Sequence, residues 1–153
     1  MPAAFARRQI CIVILTTFAP AASALTVIGA STSGQQVSND TEYVVNAGTT
    51  VSSDTGDAVI VNGVAPVAFS NSGSLLSAQA SQAAALRFNV AGELHNAAGG
   101  RMFGQTFGVM MNGGGAGNNI VNFGDISARI SHAIYYGGDS AGTVDNFGSL
   151  NGD

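Results

Sequence analysis

The chain has no Trp and no Lys, a single Cys and three Pro, and only 9% of its residues are charged. Each scarcity removes a class of protein. Cys11 lies among the first 24 residues, so the rest of the chain cannot rest on disulfides or on a Cys-based metal site. Beyond residue 24 the cations are Arg87, Arg101 and Arg129 against nine acids, a formal charge of −6. That excludes nucleic acid and anionic membrane surfaces as partners, because both need a basic patch. Hydrophobic content of 46% is too high for a disordered linker. What is plentiful is Gly, with 21 copies, alongside Ala, Ser and Asn. Regularly placed Gly disfavours helix, each costing about 1 kcal/mol against Ala in a helix interior. The apolar runs are short and β-branched or aromatic, which suits strands.

Residues 1–24 read as a secretory signal. Arg7 and Arg8 give the positive start, and an apolar stretch follows from Ile10 through Phe18. Ala22-Ser23-Ala24 is an A-x-A cleavage site, so the mature chain is expected to begin at Leu25. The stretch is shorter than the roughly 20 apolar residues of a membrane-spanning helix. Arg7-Arg8 hints at twin-arginine export, but the residues after it favour the general secretory route.

The rest of the chain is dominated by a repeat. Asn46, Asn71, Asn96, Asn122 and Asn146 recur at intervals of 25, 25, 26 and 24. Two positions before each stands an apolar residue: Val44, Phe69, Leu94, Ile120 and Val144. Two positions after it stands Gly48, Gly73, Gly124 or Gly148, while Asn96-Ala97-Ala98-Gly99-Gly100 reads as a copy with an insertion. A second marker runs in phase: apolar triplets starting at Val59, Leu86, Val109 and Ile134 end at Asn62, Asn89, Asn112 and Gly137. A fixed period of this size means stacked supersecondary units. Strands so short are expected to wind into a coil, each lying beside its equivalent in the next turn about 4.8 Å away. Val44, Phe69, Leu94, Ile120 and Val144 form one expected interior column. Leu75, Ile126 and Leu150 form a second, and Val59, Leu86, Val109 and Ile134 a third. The Asn amides pair up and down the stack, and the Gly two residues later supplies positive φ. Phe123 and Phe147 are expected to stack outside. The Ala- and Gln-rich stretch Ser77 to Leu86 is the one segment with helical character, and it is read as a lateral excursion. The organisation is thus a signal at 1–24, an entry or cap segment at 25–43 and repeats over 44–153.

The runs Ile120-Val121-Asn122-Phe123-Gly124-Asp125-Ile126, Val144-Asp145-Asn146-Phe147-Gly148-Ser149-Leu150 and Ala133-Ile134-Tyr135-Tyr136-Gly137-Gly138 resemble the passenger domains of bacterial autotransporters. The resemblance covers roughly residues 41–153. It implies an all-β fold, a right-handed parallel β-helix of four to five coils, on an exported protein that reaches the cell surface or medium. It also implies a downstream β-barrel translocator in the outer membrane, absent from these 153 residues, so the chain is expected to be an N-terminal fragment of such a protein.

Several local motifs suggest chemistry. Gly138-Asp139-Ser140-Ala141-Gly142 resembles the nucleophile loop of chymotrypsin-like proteases, but His132 is eight residues from Ser140 and no partner geometry is implied. Asp54-Thr55-Gly56 resembles an aspartic-protease signature, which needs two copies sharing a proton; turn chemistry explains the single copy. Gly114 to Val121 approaches a calcium-binding nonapeptide, with Asn119 in place of the ligand Asp and no tandem copy. His95 and His132 fall at different phases of the repeat, so no metal is expected, and no cofactor. Asp125, Asp139 and Asp145 fall within about one coil, and grouped acids serve polysaccharide cleavage on such scaffolds.

The expected role is a non-catalytic secreted or surface segment of the adhesin or stalk type. Its ligands would be host or cell-surface glycans or proteins. Contact is expected at the corner loops, through Asn112, Gly115, Asn118, Asp139 and Ser140, and at the excursion 77–84. The alternatives are a polysaccharide lyase or hydrolase on the same scaffold, or a gene fragment without function. An uncapped last coil would also favour end-to-end self-association.

Overall fold

The structure, a computed structural model, describes residues 25–63 and 66–152. The expected signal, residues 1–24, lies outside the described residues. The strands are β1 (Leu25–Val27), β2 (Gln35–Val37), β3 (Glu42–Val45), β4 (Thr50–Ser53), β5 (Val59–Val61), β6 (Val67–Asn71), β7 (Ser74–Ser77) and β8 (Ala84–Phe88). They continue with β9 (Gly92–Asn96), β10 (Arg101–Gly104), β11 (Phe107–Met111), β12 (Gly115–Asn122), β13 (Asp125–Ala128), β14 (Ile134–Tyr136), β15 (Ser140–Asn146) and β16 (Ser149–Asn151). There is no helix among the described residues.

The strands form three sheets, and each turn of chain visits all three. Sheet A runs β1-β3-β6-β9-β12-β15, sheet B runs β4-β7-β10-β13-β16 and sheet C runs β2-β5-β8-β11-β14. Every pairing is parallel. The result is an all-β parallel solenoid of about five turns. The segment 25–43, expected as an entry, is itself a coil. β1 pairs with β3, β2 pairs with β5, and Ser31 bridges to Val51 in sheet B.

Alternation decides what goes inside. In sheet A the inward column is Tyr43, Phe69, Leu94, Ile120 and Val144. In sheet B it is Val51, Leu75, Met102, Ile126 and Leu150. Sheet C contributes two columns, one through Val59, Leu86, Val109 and Ile134, the other through Val61, Phe88, Met111 and Tyr136. These columns meet along the axis: the Phe69 and Phe88 rings pack edge to face, 6.0 Å apart. Burying each such side chain contributes about 1.5–3 kcal/mol.

The first copy of the repeat departs from the expected register by one residue. Tyr43, not Val44, lies against Phe69, and Val45 lies against Asn71. Val44 therefore faces outward in the row of Ser70, His95 and Val121. Asn46 is exposed and outside the ladder. Its carbonyl accepts the Thr49 N–H at 3.1 Å, closing a turn whose positive φ falls on Gly48 (φ +80). The physical reason is corner length. Three residues separate Val45 from Thr49, which precedes β4, just as three separate Asn96 from Gly100, where the Ala97 carbonyl accepts the Gly100 N–H at 2.8 Å. After Asn71, Asn122 and Asn146 a single residue suffices. The insertion visible at Asn96 is thus also present at Asn46, hidden because its turn happens to spell Asn-Ala-Gly.

The other corner glycines serve a different purpose from the one expected. Gly73, Gly124 and Gly148 are not among the positive-φ residues. They are glycines because neighbouring backbone comes too close. A Cβ on Gly73 would stand 2.4 Å from the Thr49 carbonyl oxygen, and one on Gly124 or Gly148 2.2 Å from the oxygen of Gly100 or Gly124. In the long corner that role passes to Gly100, whose Cβ would meet Asn96 Oδ1 at 2.2 Å. The excursion is shorter than expected, since β8 already starts at Ala84.

Candidate functional site

The most ordered polar feature is the Asn ladder. Asn71, Asn96 and Asn122 are fully buried. The Nδ2 of each donates to the Oδ1 of the next: Asn71 to Asn96 at 2.9 Å, Asn96 to Asn122 at 2.8 Å, Asn122 to Asn146 at 2.7 Å. Each amide also binds its own corner, as where Asn71 donates to the Gly73 carbonyl and accepts the Gly73 N–H. Outside the ladder the rings of Phe123 and Phe147 stack, with centroids 5.0 Å apart and an interplanar angle of 15°. His95 extends this aromatic run, its ring 5.6 Å from Phe123.

An ion pair that sequence reasoning missed ties two coils. Arg87, on the outer row of β8, meets Asp57 through Nε at 2.9 Å and Nη2 at 3.0 Å. The pair is also tied to its surroundings: Asp57 accepts the Ala84 N–H at 2.6 Å, Arg87 Nη2 donates to the Gln82 carbonyl, and Arg87 Nη1 donates to Met110 Sδ at 2.8 Å. Asp57 is 10% exposed and Arg87 19%. Gln82 has positive φ (52°), so this fork clamps a strained excursion to the previous coil. The clue was the register: Asp57 falls two residues before β5 and therefore beside Ala84, but finding it required knowing that β5 lies on β8.

The motifs that suggested catalysis are dispersed. Ser140 donates its hydroxyl to the Gly113 carbonyl. His132 contacts the Ser131 hydroxyl through Nδ1 at 2.7 Å, and its ring lies near those of Phe107 and Tyr135. Ser140 and His132 are thus engaged with different neighbours. Asp54 is exposed on a turn in which the Gly56 N–H donates to Ser53 Oγ at 3.1 Å. Asp125 lies on sheet B beside Arg101, Asp145 on sheet A beside Val121, and Asp139 at the corner before β15. The three do not share a sheet face. His95 is on sheet A and His132 at the approach to sheet C, and no group of three His, Cys, Asp or Glu that could hold a metal occurs among the described residues.

The expected contact loops divide. Asn112, Gly115 and Asp139 are exposed and Ser140 half-buried. Asn118 is 2% exposed and must be withdrawn as a contact residue. It accepts the Gly92 N–H at 3.1 Å and donates to the Ala141 carbonyl at 3.1 Å, so it closes three successive coils. Asn119, one residue on, points outward, where Oδ1 accepts the Thr143 hydroxyl at 2.9 Å. Two shallow hollows of about 260 and 280 Å³ run together along the outer face of sheet A. They share Ala68 and Glu93, with Glu42 at one end and His95 and Asn119 at the other. The trough exists because the outer row carries small residues, Ala68 and Ser70, between longer ones.

Comparison of the chain with family models, with curated proteins and with solved structures returns no match.

Proposed function

We propose that this chain is a non-catalytic passenger segment of a secreted or cell-surface protein, of the adhesin or stalk type, built as autotransporter passengers are. The observation that carries this reading is where the polar chemistry goes. The Asn amides, the Asp57–Arg87 fork and the Ser140 hydroxyl are all consumed in joining one coil to the next. A molecule so organised is a rod, and rods of stacked repeats present their loops and faces as contact surface. The trough on sheet A offers Glu93, His95 and Asn119 along a floor of small side chains, and the corners at 112–115 and 138–140 border the same sheet. Such acceptors and donors suit the hydroxyls of glycans or the polar rim of a protein.

Retention on immobilised host glycans and matrix proteins, with assay of the eluate for cleavage products, tests the reading. The material should be recovered from the medium of expressing cells, with Leu25 as its first residue by intact mass. We expect retention without turnover, weakened by Glu93→Ala and by Asp139→Ala. New reducing ends or unsaturated sugar products would replace the passenger by a hydrolase or lyase.

A further inference from the structure

The column that closes sheet C reads Asn62, Asn89, Asn112 and Gly137, and two of its Asn residues precede glycine, in Asn62-Gly63 and Asn112-Gly113. A third such pair, Asn151-Gly152, stands at the end of β16. Asn-Gly is chemically labile. The backbone nitrogen that follows an Asn can attack the Asn side-chain carbonyl carbon, and a side chain on the following residue is what hinders that approach. Glycine offers no such hindrance, so the restraints of the fold decide which pair reacts.

Asn112 is the least restrained of the three. Its side chain is exposed. Its Nδ2 donates to Met110 Sδ at 3.2 Å, and a thioether is a weak acceptor. The peptide unit joining Asn112 to Gly113 makes no hydrogen bond at its carbonyl or its N–H among the described residues. The chain is held on either side of that unit, where the Asn112 N–H donates to the Phe88 carbonyl at 2.7 Å and the Gly113 carbonyl accepts the Ser140 hydroxyl. One free peptide unit is thus left to turn between two fixed points, beside a side chain open to water.

The fold also forbids the protection that a larger neighbour would give. A Cβ on Gly113 would stand 2.0 Å from the Val90 carbonyl carbon, so position 113 must be glycine. At the same phase one coil earlier, Asn89 is followed by Val90, whose branched side chain shields the nitrogen. Asn62 is half-buried and its Oδ1 accepts the Asn89 amide at 2.7 Å, a bond that the attacking geometry would break. Asn151 lies within β16, where its backbone is held beside Ser127.

We propose that Asn112 is a site of spontaneous deamidation, which gives this corner a negative charge as the protein ages. Solvent base takes the proton of the Gly113 N–H, and the nitrogen bonds to Asn112 Cγ. The Cγ–Nδ2 bond breaks, and Nδ2 leaves as ammonia with a proton from water. Water then opens the succinimide ring. Attack at Cγ restores the ordinary backbone with a carboxylate side chain. Attack at the main-chain carbonyl routes the chain through the side chain and lengthens it by one carbon. The net change is one water consumed and one ammonia released, with no redox partner. The inference does not depend on the passenger role.

The test incubates the folded protein in mildly alkaline buffer, then unfolds it and cleaves at arginine. Cleavage at Arg87, Arg101 and Arg129 places Asn62, Asn89, Asn112 and Asn151 in four different peptides. Mass spectrometry then reads the amide-to-acid mass gain and fragments each peptide to locate it. Conversion is expected at Asn112 in 102–129, at least about tenfold faster than in 25–87, a difference of about 1.4 kcal/mol in barrier, and none is expected at Asn89. Asn112→Gln should remove the gain from 102–129, because the larger ring closes far more slowly. Incubation in urea is the control for the fold: the three Asn-Gly pairs should then convert at similar rates. Conversion at Asn112 no faster than at Asn62 in the folded protein overturns the proposal, as does acid located at Asn118, Asn119 or Asn122 instead. A preference for Asn112 that persists unchanged in urea overturns it too, since the corner's geometry would then have no part in the reaction.

Discussion

The corner after β3 and the corner after β6 carry the same spelling, Asn-x-Gly, and the chain uses them in opposite ways. At 71–73 the Asn side chain turns into the axis, binds the next amide at 2.9 Å, and Gly73 makes room for the backbone of the coil before it. At 46–48 the Asn lies outside, its carbonyl closes a turn, and Gly48 supplies a left-handed φ. The same letters thus answer two different demands, inter-coil amide pairing at one site and a reversal of chain direction at the other. The difference is set by how many residues the corner must span, which fixes the phase of every side chain before it.

That comparison breaks most sharply at Tyr43 and Val44. Tyr43 is 1% exposed and its neighbour lies on the outer row. Tyr43→Asp would place a carboxylate among stacked apolar side chains. It would also remove a hydroxyl that accepts the Asp40 N–H at 2.8 Å. A core truncation of this size costs about 3–5 kcal/mol before any charge penalty, and a domain holds only about 5–15 kcal/mol in all. Loss of the cooperative unfolding transition is expected. Val44→Asp should cost below about 1 kcal/mol. If circular dichroism melts rank the two the other way, Val44 belongs inside and the first coil is out of register.

Next in size is the pair Asn96→Ala and Asn46→Ala. The first deletes two ladder bonds at about 1 kcal/mol each and strands the Asn71 N–H, for about 3–4 kcal/mol together. The second should stay within about 0.5 kcal/mol. Urea titrations of both would separate them. Equal losses would mean that the ladder extends to the first copy.

The period, the column Val59–Leu86–Val109–Ile134, the later members of the sheet A and sheet B columns and the external stacking of Phe123 on Phe147 were legible, because each depends on like residues recurring at one spacing; Val51, Met102 and the column Val61–Phe88–Met111–Tyr136 were not. The phase of the first copy was not legible. Tyr43-Val44-Val45 is apolar throughout, so alternation gives no preference, and Asn46-Ala47-Gly48 supplied a false anchor. The roles of Asn118 and Asp57 were equally hidden. Asn118 sits in a run of Gly and Asn that spells loop, and its burial comes from the close passage of Gly92 and Ala141 on the neighbouring coils. Asp57 and Arg87 are 30 residues apart, and their meeting follows from the length of the excursion between them.

The glycines sharpen the same contrast at smaller cost. Gly124→Ala drives a Cβ to 2.2 Å from a backbone oxygen that cannot move without disturbing the coil below. Overpacking of this kind costs about 2–3 kcal/mol. At Gly48 nothing lies within 4 Å of the added atom, and the penalty is the left-handed φ alone, about 1 kcal/mol. Thermal melts should therefore place Gly124→Ala well below Gly48→Ala. The reverse order would return both glycines to a single conformational role.

The smallest effect concerns the two ends of the sheet C column that runs from Val61 to Tyr136. Val61 is fully buried, while Tyr136 lies half-buried beside the last coil, its hydroxyl donating to the Thr143 carbonyl at 3.3 Å. Burial raises its phenol above the ordinary value of 10.0. A group whose folded pKa is raised stabilises the fold fully below the unfolded value and loses that contribution as pH climbs through the folded one. The unfolded Tyr ionises first, so stability should fall above pH about 10, by no more than about 1.4 kcal/mol per pH unit for one group. Urea midpoints at pH about 8 and about 10.5 give the slope, and Tyr136→Phe should flatten it, because Phe keeps the packing and has no proton to lose. If wild type and Tyr136→Phe decline in parallel, the phenol is as solvated in the fold as in the open chain. The last coil would then not cover Tyr136 as β15 places it.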